Sequence, residues 1–335
     1  MHIFSGETSG ARMAQEAAAK TLIFPIIDLS SPDRVATSRL IRQACVDSGF
    51  FYLINHGIDE DMFEQVFDQS KKFFQLSIQE KLELSRNKDH RGYTPLYVET
   101  LDTSIKSKGD SKESFYIGPV PIEGSSSQET HIDDVNQWPS EATLPHWRAT
   151  MEAYYDKVLS AGIRVISLIA LALNLSEDFF MRVGALDSPA AFIRLLHYPG
   201  ELPSSEDLNF GASAHSDYGM ITLLLTDGVN GLQICREKDK QPQIWEDVPH
   251  LKGAFVVNIG DMLERWTNCL FRSTLHRVIA SGQERYSVAF FLDPNFDCLV
   301  ECLESCCSET IPARFPPIRS GDYLKKRLWL TYSSG

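Results

Sequence analysis

Hydrophobic positions change their rhythm three times along the chain. Near the start, Phe24-Pro25-Ile26-Ile27-Asp28-Leu29 is an apolar run of strand length, and Ser31-Pro32 after it reads as a helix N-cap followed by proline in the first turn. The spacing predicts a helix from there to about Ser48, then a buried strand over Phe50-Phe51-Tyr52-Leu53-Ile54 closed by Asn55-His56-Gly57. Asp59 opens a second helix, in which Phe63, Val66, Phe67, Ser70 and Phe74 recur at helical period. From Arg86 to Thr143 the pattern loosens into Gly, Ser, Asp and Pro, and only loops can be read. Pro145 to Leu175 restores the helical rhythm, with Met151, Tyr155, Val158, Leu159, Ile166, Ile169 and Leu173 on one face.

After Ala190 the rhythm becomes that of strands. Short alternating runs cover Phe192 to Tyr198, Ala212 to Asp217, Met220 to Leu225, Leu232 to Cys235, Gln243 to Val248, Ala254 to Ile259, Thr274 to Ala280 and Tyr286 to Asp293, separated by Gly, Pro, Asn and Asp turns. Such a series predicts an antiparallel sandwich or jelly roll, so the fold class is α+β, mostly β with helices. A last helix is expected from Ser320 to about Tyr332. The chain thus divides into a flexible leader (1–20), a mixed α/β region (21–180), a jelly-roll core (181–310) and a C-terminal helix (311–335).

Composition narrows the function. With 335 residues, 43% hydrophobic and 23% charged, the chain can bury a large core. Its net charge of -13 repels phosphate backbones and anionic lipid, which leaves a small molecule as the expected partner, not nucleic acid or membrane. The longest apolar run, Val165 to Leu173, is far below the roughly 20 residues a membrane span needs. The first dozen residues lack a signal-peptide core, and seven scattered cysteines fit reduced thiols, so a cytoplasmic monomer is expected. Cys298, Cys302, Cys306 and Cys307 raise the alternative of structural zinc, although they lack the paired C-x-x-C spacing such sites use.

The candidate chemistry lies in His215-Ser216-Asp217. Residues two apart on a strand point to one side, so this imidazole and carboxylate can share a metal, with His276 reaching it from a distant strand. Two His and one carboxylate occupying one face of an octahedron, with the other face open, is the donor set of non-heme Fe(II) oxygenases. The triplet alone is weak, because His131-Ile132-Asp133 repeats it in a polar segment without strand flanks. Arg285 and Ser287 are also two apart and offer a guanidinium fork and a hydroxyl, suited to a carboxylate. His197 beside Tyr198 is expected to face away from it, His56 to bond the backbone of its turn, Asn258 and Asp261 to fix a turn at the sheet mouth, and Glu264 with Arg265 to form a solvated pair.

The context of the triplet carries a resemblance. Met220-Ile221-Thr222-Leu223-Leu224, Gly231-Leu232-Gln233, Val257-Asn258-Ile259-Gly260-Asp261, Ser273-Thr274-Leu275-His276-Arg277-Val278 and Arg285-Tyr286-Ser287 follow in order. Pro25-Ile26-Ile27-Asp28-Leu29, Gly49 to Gly57 and Arg91-Gly92-Tyr93 extend the match through the N-terminal half. Here the chain resembles the plant and microbial 2-oxoglutarate/Fe(II)-dependent dioxygenases, the group that includes isopenicillin N synthase. The resemblance implies a double-stranded β-helix core, with Fe(II) on His215, Asp217 and His276. It further implies 2-oxoglutarate on Arg285, Ser287 and Tyr198, O2 as oxidant, ascorbate as a stimulant, and hydroxylation of a small metabolite while 2-oxoglutarate becomes succinate and CO2. Many plant members have Asn-Tyr-Tyr-Pro where this chain has Leu196-His197-Tyr198-Pro199, which puts one contact to the keto acid in doubt. Tyr97, Phe115, Tyr116, Tyr218, Phe291 and Tyr323 are expected to rim an apolar pocket. An oxidase that does without 2-oxoglutarate, a zinc hydrolase on the same ligands and a non-catalytic binder are the rivals.

Overall fold

A computed structural model describes residues 24–102, 109–119, 136–200 and 210–332. The leader and the second His-x-Asp copy at His131 lie outside them. The N-terminal elements are β1 (Ile26–Asp28), α1 (Arg34–Asp47), β2 (Phe50–Ile54), α2 (Glu60–Phe74) and α3 (Ile78–Glu83). The cap of α1 is Asp33, whose carboxylate accepts from the Ala36 amide, and not Ser31. Asp28 already draws the Ser30 amide and hydroxyl into a tight turn, so the chain becomes helical only after Pro32. Helix α2 has Glu60 and Asp61 in its first turn and Lys71 and Lys72 in its last, which suits the helix dipole. Ser77 and Glu80 close a capping box on α3, a signal present in the sequence that the hydrophobic pattern passes over.

The loosely patterned segment contains two strands, β3 (Gly92–Thr94) and β4 (Glu113–Ile117). Both are fully buried, and β4 holds Glu113 among its apolar residues, which hid its period. The Glu113 carboxylate is matched by Lys81, the Tyr93 hydroxyl and His197, which hold it below the usual carboxylate range against the opposing effect of burial. Then follow α4 (Trp147–Ala172), α5 (Phe179–Arg182), β5 (Ala190–Tyr198), β6 (Phe210–His215), β7 (Ile221–Thr226), β8 (Leu232–Cys235), β9 (Glu246–Asp247) and β10 (Phe255–Ile259). The chain ends through α6 (Asp261–Trp266), β11 (Leu275–Ile279), β12 (Arg285–Asp293), β13 (Leu299–Val300), β14 (Ile318–Arg319) and α7 (Ser320–Tyr332).

Eight strands form one sheet in the order β1-β2-β10-β7-β12-β5-β4-β3, and four form a second, β6-β11-β8-β9. The N-terminal strands β1 to β4 thus flank the core strands in a single sheet. Only the β1 and β2 pair within it is parallel. The main core lies between the large sheet and the helices, where Phe51, Phe115, Trp147, Val165, Ile193, Leu223, Phe255 and Phe290 are inaccessible to solvent. A smaller apolar cluster, with Phe50, Tyr52, Leu196, Tyr198, Ile234, Val278 and Ala289, fills the space between the two sheets. No helix among the described residues is long and apolar enough to cross a membrane.

Candidate iron and keto-acid site

Strands β6 and β11 lie side by side with His215 opposite His276, and their ring centroids are 4.3 Å apart. Each ring is oriented by its own backbone. The Nδ1–H of His215 donates to the Ser213 carbonyl at 2.7 Å, and that of His276 to the Thr274 carbonyl at 3.1 Å, so both Nε2 atoms face the same point. Asp217 does not lie on the strand, which ends at His215. It sits on the following turn, where its carbonyl accepts from the Asp261 amide at the start of α6. The turn, not the pleat, brings its Oδ1 to 3.7 Å from His215 Nε2 and 3.5 Å from His276 Nε2. Gly260 is part of this device, because a Cβ there would stand 2.3 Å from the Gly219 carbonyl.

The other carboxylate oxygen is spoken for. Asp217 Oδ2 accepts from Thr222 Oγ1 at 2.5 Å and from Asn258 Nδ2 at 2.8 Å, which leaves Oδ1 turned toward the imidazoles. Sequence reasoning missed both donors, placing Asn258 in a turn; the signal was a polar residue at an inward position of an otherwise apolar strand. Burial resists ionisation of Asp217, but His276 and His215 more than offset it and keep the carboxyl well below its usual range. Burial, then the neighbouring His276, pushes His215 down to about 3, so it presents a neutral nitrogen. Two ring nitrogens and one anionic oxygen, converging and already oriented, fit a divalent metal such as Fe(II). Among the described residues this is the one group of His, Cys, Asp and Glu that could hold a metal, and the four late cysteines do not form another.

Arg285 opens β12 and is 2% exposed, yet no carboxylate lies within ion-pair distance of it among the described residues. Its Nη1 donates to Ser287 Oγ at 3.4 Å, its Nε to the Val229 carbonyl at 3.2 Å, and its guanidinium lies 4.8 Å over the Tyr198 ring. Arg285, Ser287 and Tyr198 therefore meet on the inward face of the large sheet. Leu196 shares that face and contributes only apolar surface. His197 points the other way, bonding Glu113 and Glu284 and stacking on Tyr286. His56 bonds the Gly253 carbonyl and the Ile58 amide, as its turn position suggested.

The expected pocket rim divides. Tyr116 and Phe291 face inward, where Phe192 contacts both, and Tyr218 is half-buried beneath the Arg327 guanidinium. Phe115 does not belong to the rim: strand alternation turns it to the helices, against Phe73 and Trp147. Tyr323 is tied down by its hydroxyl to Asp261, which also binds Ser273 and Arg327 and so locks α7 onto α6. Tyr97 is 45% exposed on a loop. Glu264 and Arg265 do not pair with each other; Glu264 accepts from the Ser273 amide, and Arg265 donates to the Pro316 carbonyl. Unforeseen in the sequence is a buried cluster of Glu99, Asp110, Lys112 and Arg194. Asp110 of this cluster accepts from the Ser213 amide, one carbonyl away from His215.

Known proteins resemble this chain over most of its length. Residues 24–141 match the family "non-haem dioxygenase in morphine synthesis N-terminal", and residues 189–294 match the "2OG-Fe(II) oxygenase superfamily". The chain is 41% identical over 302 residues to azadirone synthase of Melia azedarach, covering 90% of each chain. It is 43% identical over 304 residues to kihadalactone A synthase of Citrus sinensis, again covering 90% of each. The crystal structure of a full-length Neurospora crassa protein in complex with alpha-KG and 5-formyluracil superposes with a TM-score of 0.79 at 31% identity, over 92% of this chain and 97% of that one. The chain belongs to the 2-oxoglutarate/Fe(II)-dependent oxygenase family, enzymes that use iron, 2-oxoglutarate and O2 to oxidise small molecules.

Proposed function

We propose that His215, Asp217 and His276 hold the iron, that Arg285 and Ser287 bind the distal carboxylate of 2-oxoglutarate with Tyr198 beside them, and that the enzyme hydroxylates a mostly apolar small molecule. The observation that carries this reading is the buried Arg285 guanidinium without an anionic partner among the described residues. A buried charge left unpaired is costly, and a ligand carboxylate would supply both the charge and the planar hydrogen bonds it lacks. Iron held by the three ligands supplies the redox chemistry that couples decarboxylation of 2-oxoglutarate to C–H oxidation. Thr222 and Asn258 keep Asp217 aimed at the metal, while Phe291, Phe192 and Tyr116 provide an aromatic wall that excludes water.

The six assigned residues come from one chain, which supports a monomer as the working unit. All seven cysteines are unpaired, which supports a reducing compartment such as the cytoplasm, and the net charge of -13 disfavours nucleic acid. The test is to incubate the purified protein with Fe(II), ascorbate, 2-oxoglutarate and a metabolite extract, and to follow succinate together with the mass of every metabolite. Succinate release matched by a metabolite that gains one oxygen atom is the expected result. Metabolite oxidation that continues undiminished without 2-oxoglutarate would overturn the keto-acid assignment.

A further inference from the structure

The two imidazoles of the candidate metal site are not supported alike. His276 lies on β11, which has β6 on one side and β8 on the other, whereas His215 ends β6, the edge strand of the smaller sheet. The pairing of β6 with β11 is also irregular. His215 faces His276 and Ala212 faces Val278, so Ser213 and Ala214 stand where β11 has Arg277 alone, a β-bulge. The carbonyl that orients the His215 ring belongs to Ser213, within that bulge. An edge position and a bulge both release backbone groups from the ladder, so the ladder by itself does not fix this carbonyl.

A side chain takes the place of the missing strand. The Ser111 amide donates to the Phe210 carbonyl at 2.9 Å, which lays residues 110–112 along the open edge of β6. Asp110 Oδ1 then accepts from the Ser213 amide at 3.1 Å and from the Ser213 hydroxyl. Its Oδ2 is held by Lys112, Lys112 also pairs with Glu99, and Glu99 pairs with Arg194 of β5. Arg194 donates in addition to Ser114 Oγ of β4 at 3.0 Å. The contacts therefore run from the large sheet, through two cations and two anions, to the bulge beneath His215. All four charged residues are 6% exposed or less. Burying four charges is a poor route to stability compared with apolar packing, and what a fully paired network supplies is a fixed geometry for its members.

We propose that Asp110, braced by Lys112, Glu99 and Arg194, is a positioning residue that fixes the Ser213 carbonyl and through it the ring of His215. Its Nε2 is thereby aimed at the point it shares with His276 and Asp217 before any metal binds. The proposal rests on the iron reading only for what Nε2 meets there. His276, flanked by strands on both sides, needs no such support and serves as the internal control.

The test compares Asp110→Asn with Asp110→Ala. Both remove the negative charge that faces Lys112, but only asparagine keeps an oxygen aimed at Ser213. Fe(II) affinity, measured anaerobically by competition with a chelator, should be at least about tenfold weaker in Asp110→Ala than in Asp110→Asn, the effect of losing an outer partner of a metal ligand. Ring-nitrogen resonances are recorded on metal-free protein carrying isotope-labelled histidine and assigned through His215→Gln and His276→Gln. Those of His215 should shift in Asp110→Ala as its Nδ1–H loses the Ser213 carbonyl, and those of His276 should stay at their wild-type positions. Equal Fe(II) affinities in the two variants, or equal shifts in both rings, overturn the proposal. If Asp110→Ala does not fold, Ser213→Ala, which keeps every charge of the cluster, takes its place and should bind Fe(II) at least about threefold more weakly than wild type. Unchanged affinity there overturns the proposal. Failure of the wild type to bind Fe(II) would count against the iron reading, while the His215 resonances still decide the role of Asp110.

Discussion

The two faces of strand β12 are built to opposite specifications. Toward the helices it presents Tyr286, Val288, Phe290 and Leu292, all part of the main core; toward the second sheet it presents Arg285, Ser287, Ala289, Phe291 and Asp293. Nine residues thus line the main core on one side and the proposed site on the other. The helix-facing side gains from close packing of apolar surface, and the polar groups buried beside it, such as Glu113 with Lys81 and His197, are partnered within the fold. The inner face holds a buried guanidinium with no anionic partner among the described residues and a buried carboxyl whose Oδ1 has no hydrogen-bond partner among them, both unfavourable to folding. Apolar burial on one face favours folding, and the proposed site occupies the other.

Substitutions on the two faces should therefore separate stability from activity. The largest effect is expected at the proposed metal ligands. Asp217→Ala or His276→Ala should lower iron-dependent turnover at least about a thousandfold with little change in Tm, read by succinate release and thermal unfolding. Full activity in either variant would remove the iron assignment. Phe290→Ala on the outer face should do the reverse. It should cost about 3–5 kcal/mol in denaturant unfolding, because Phe290 is fully buried against Tyr155, while the enzyme that remains folded keeps its affinity for 2-oxoglutarate.

Arg285→Ala should raise the 2-oxoglutarate concentration needed for half-maximal turnover by about a hundredfold. It should leave Tm unchanged or raise it, since a buried unpaired charge is removed. A marked loss of stability would mean that Arg285 is a structural residue and would erase the contrast between the faces. Asn258→Ala is the mildest test. Losing one of the two hydrogen bonds that aim Asp217 should weaken Fe(II) affinity about tenfold, measured by competition with a chelator.

Where sequence reading succeeded and where it failed follows the same division. Repetitive burial leaves a period, so the eight strands up to Asp293, α4 and α7 could be located within a few residues, whereas the two-residue strands β13 and β14 leave none and were not foreseen. Strand β4 could not, because Glu113 and Ser114 are buried with partners that only the fold supplies, Lys81 and His197 for one and Arg194 for the other. Phe115 was assigned to the pocket by its aromatic character, yet alternation in a strand not foreseen there sends it to the helices. Asn258 and Thr222 were visible as polar interruptions, but nothing in their spacing says that both point at Asp217.

Donor chemistry belongs to the residues themselves, so the chain by itself determined the class of the protein: an antiparallel β core, a His, Asp and His donor set, an Arg-x-Ser pair, and the family they share. Which atoms meet was decided only by the tertiary structure. The turn after His215, and not the strand, brings Asp217 between the imidazoles. Long-range pairing sets Arg285 opposite Tyr198, and Asp293 Oδ1 is left without a partner among the described residues beside the turn that carries Asp217. Period and motif are local properties of a chain, whereas satisfaction of a buried polar group depends on residues tens to hundreds of positions away.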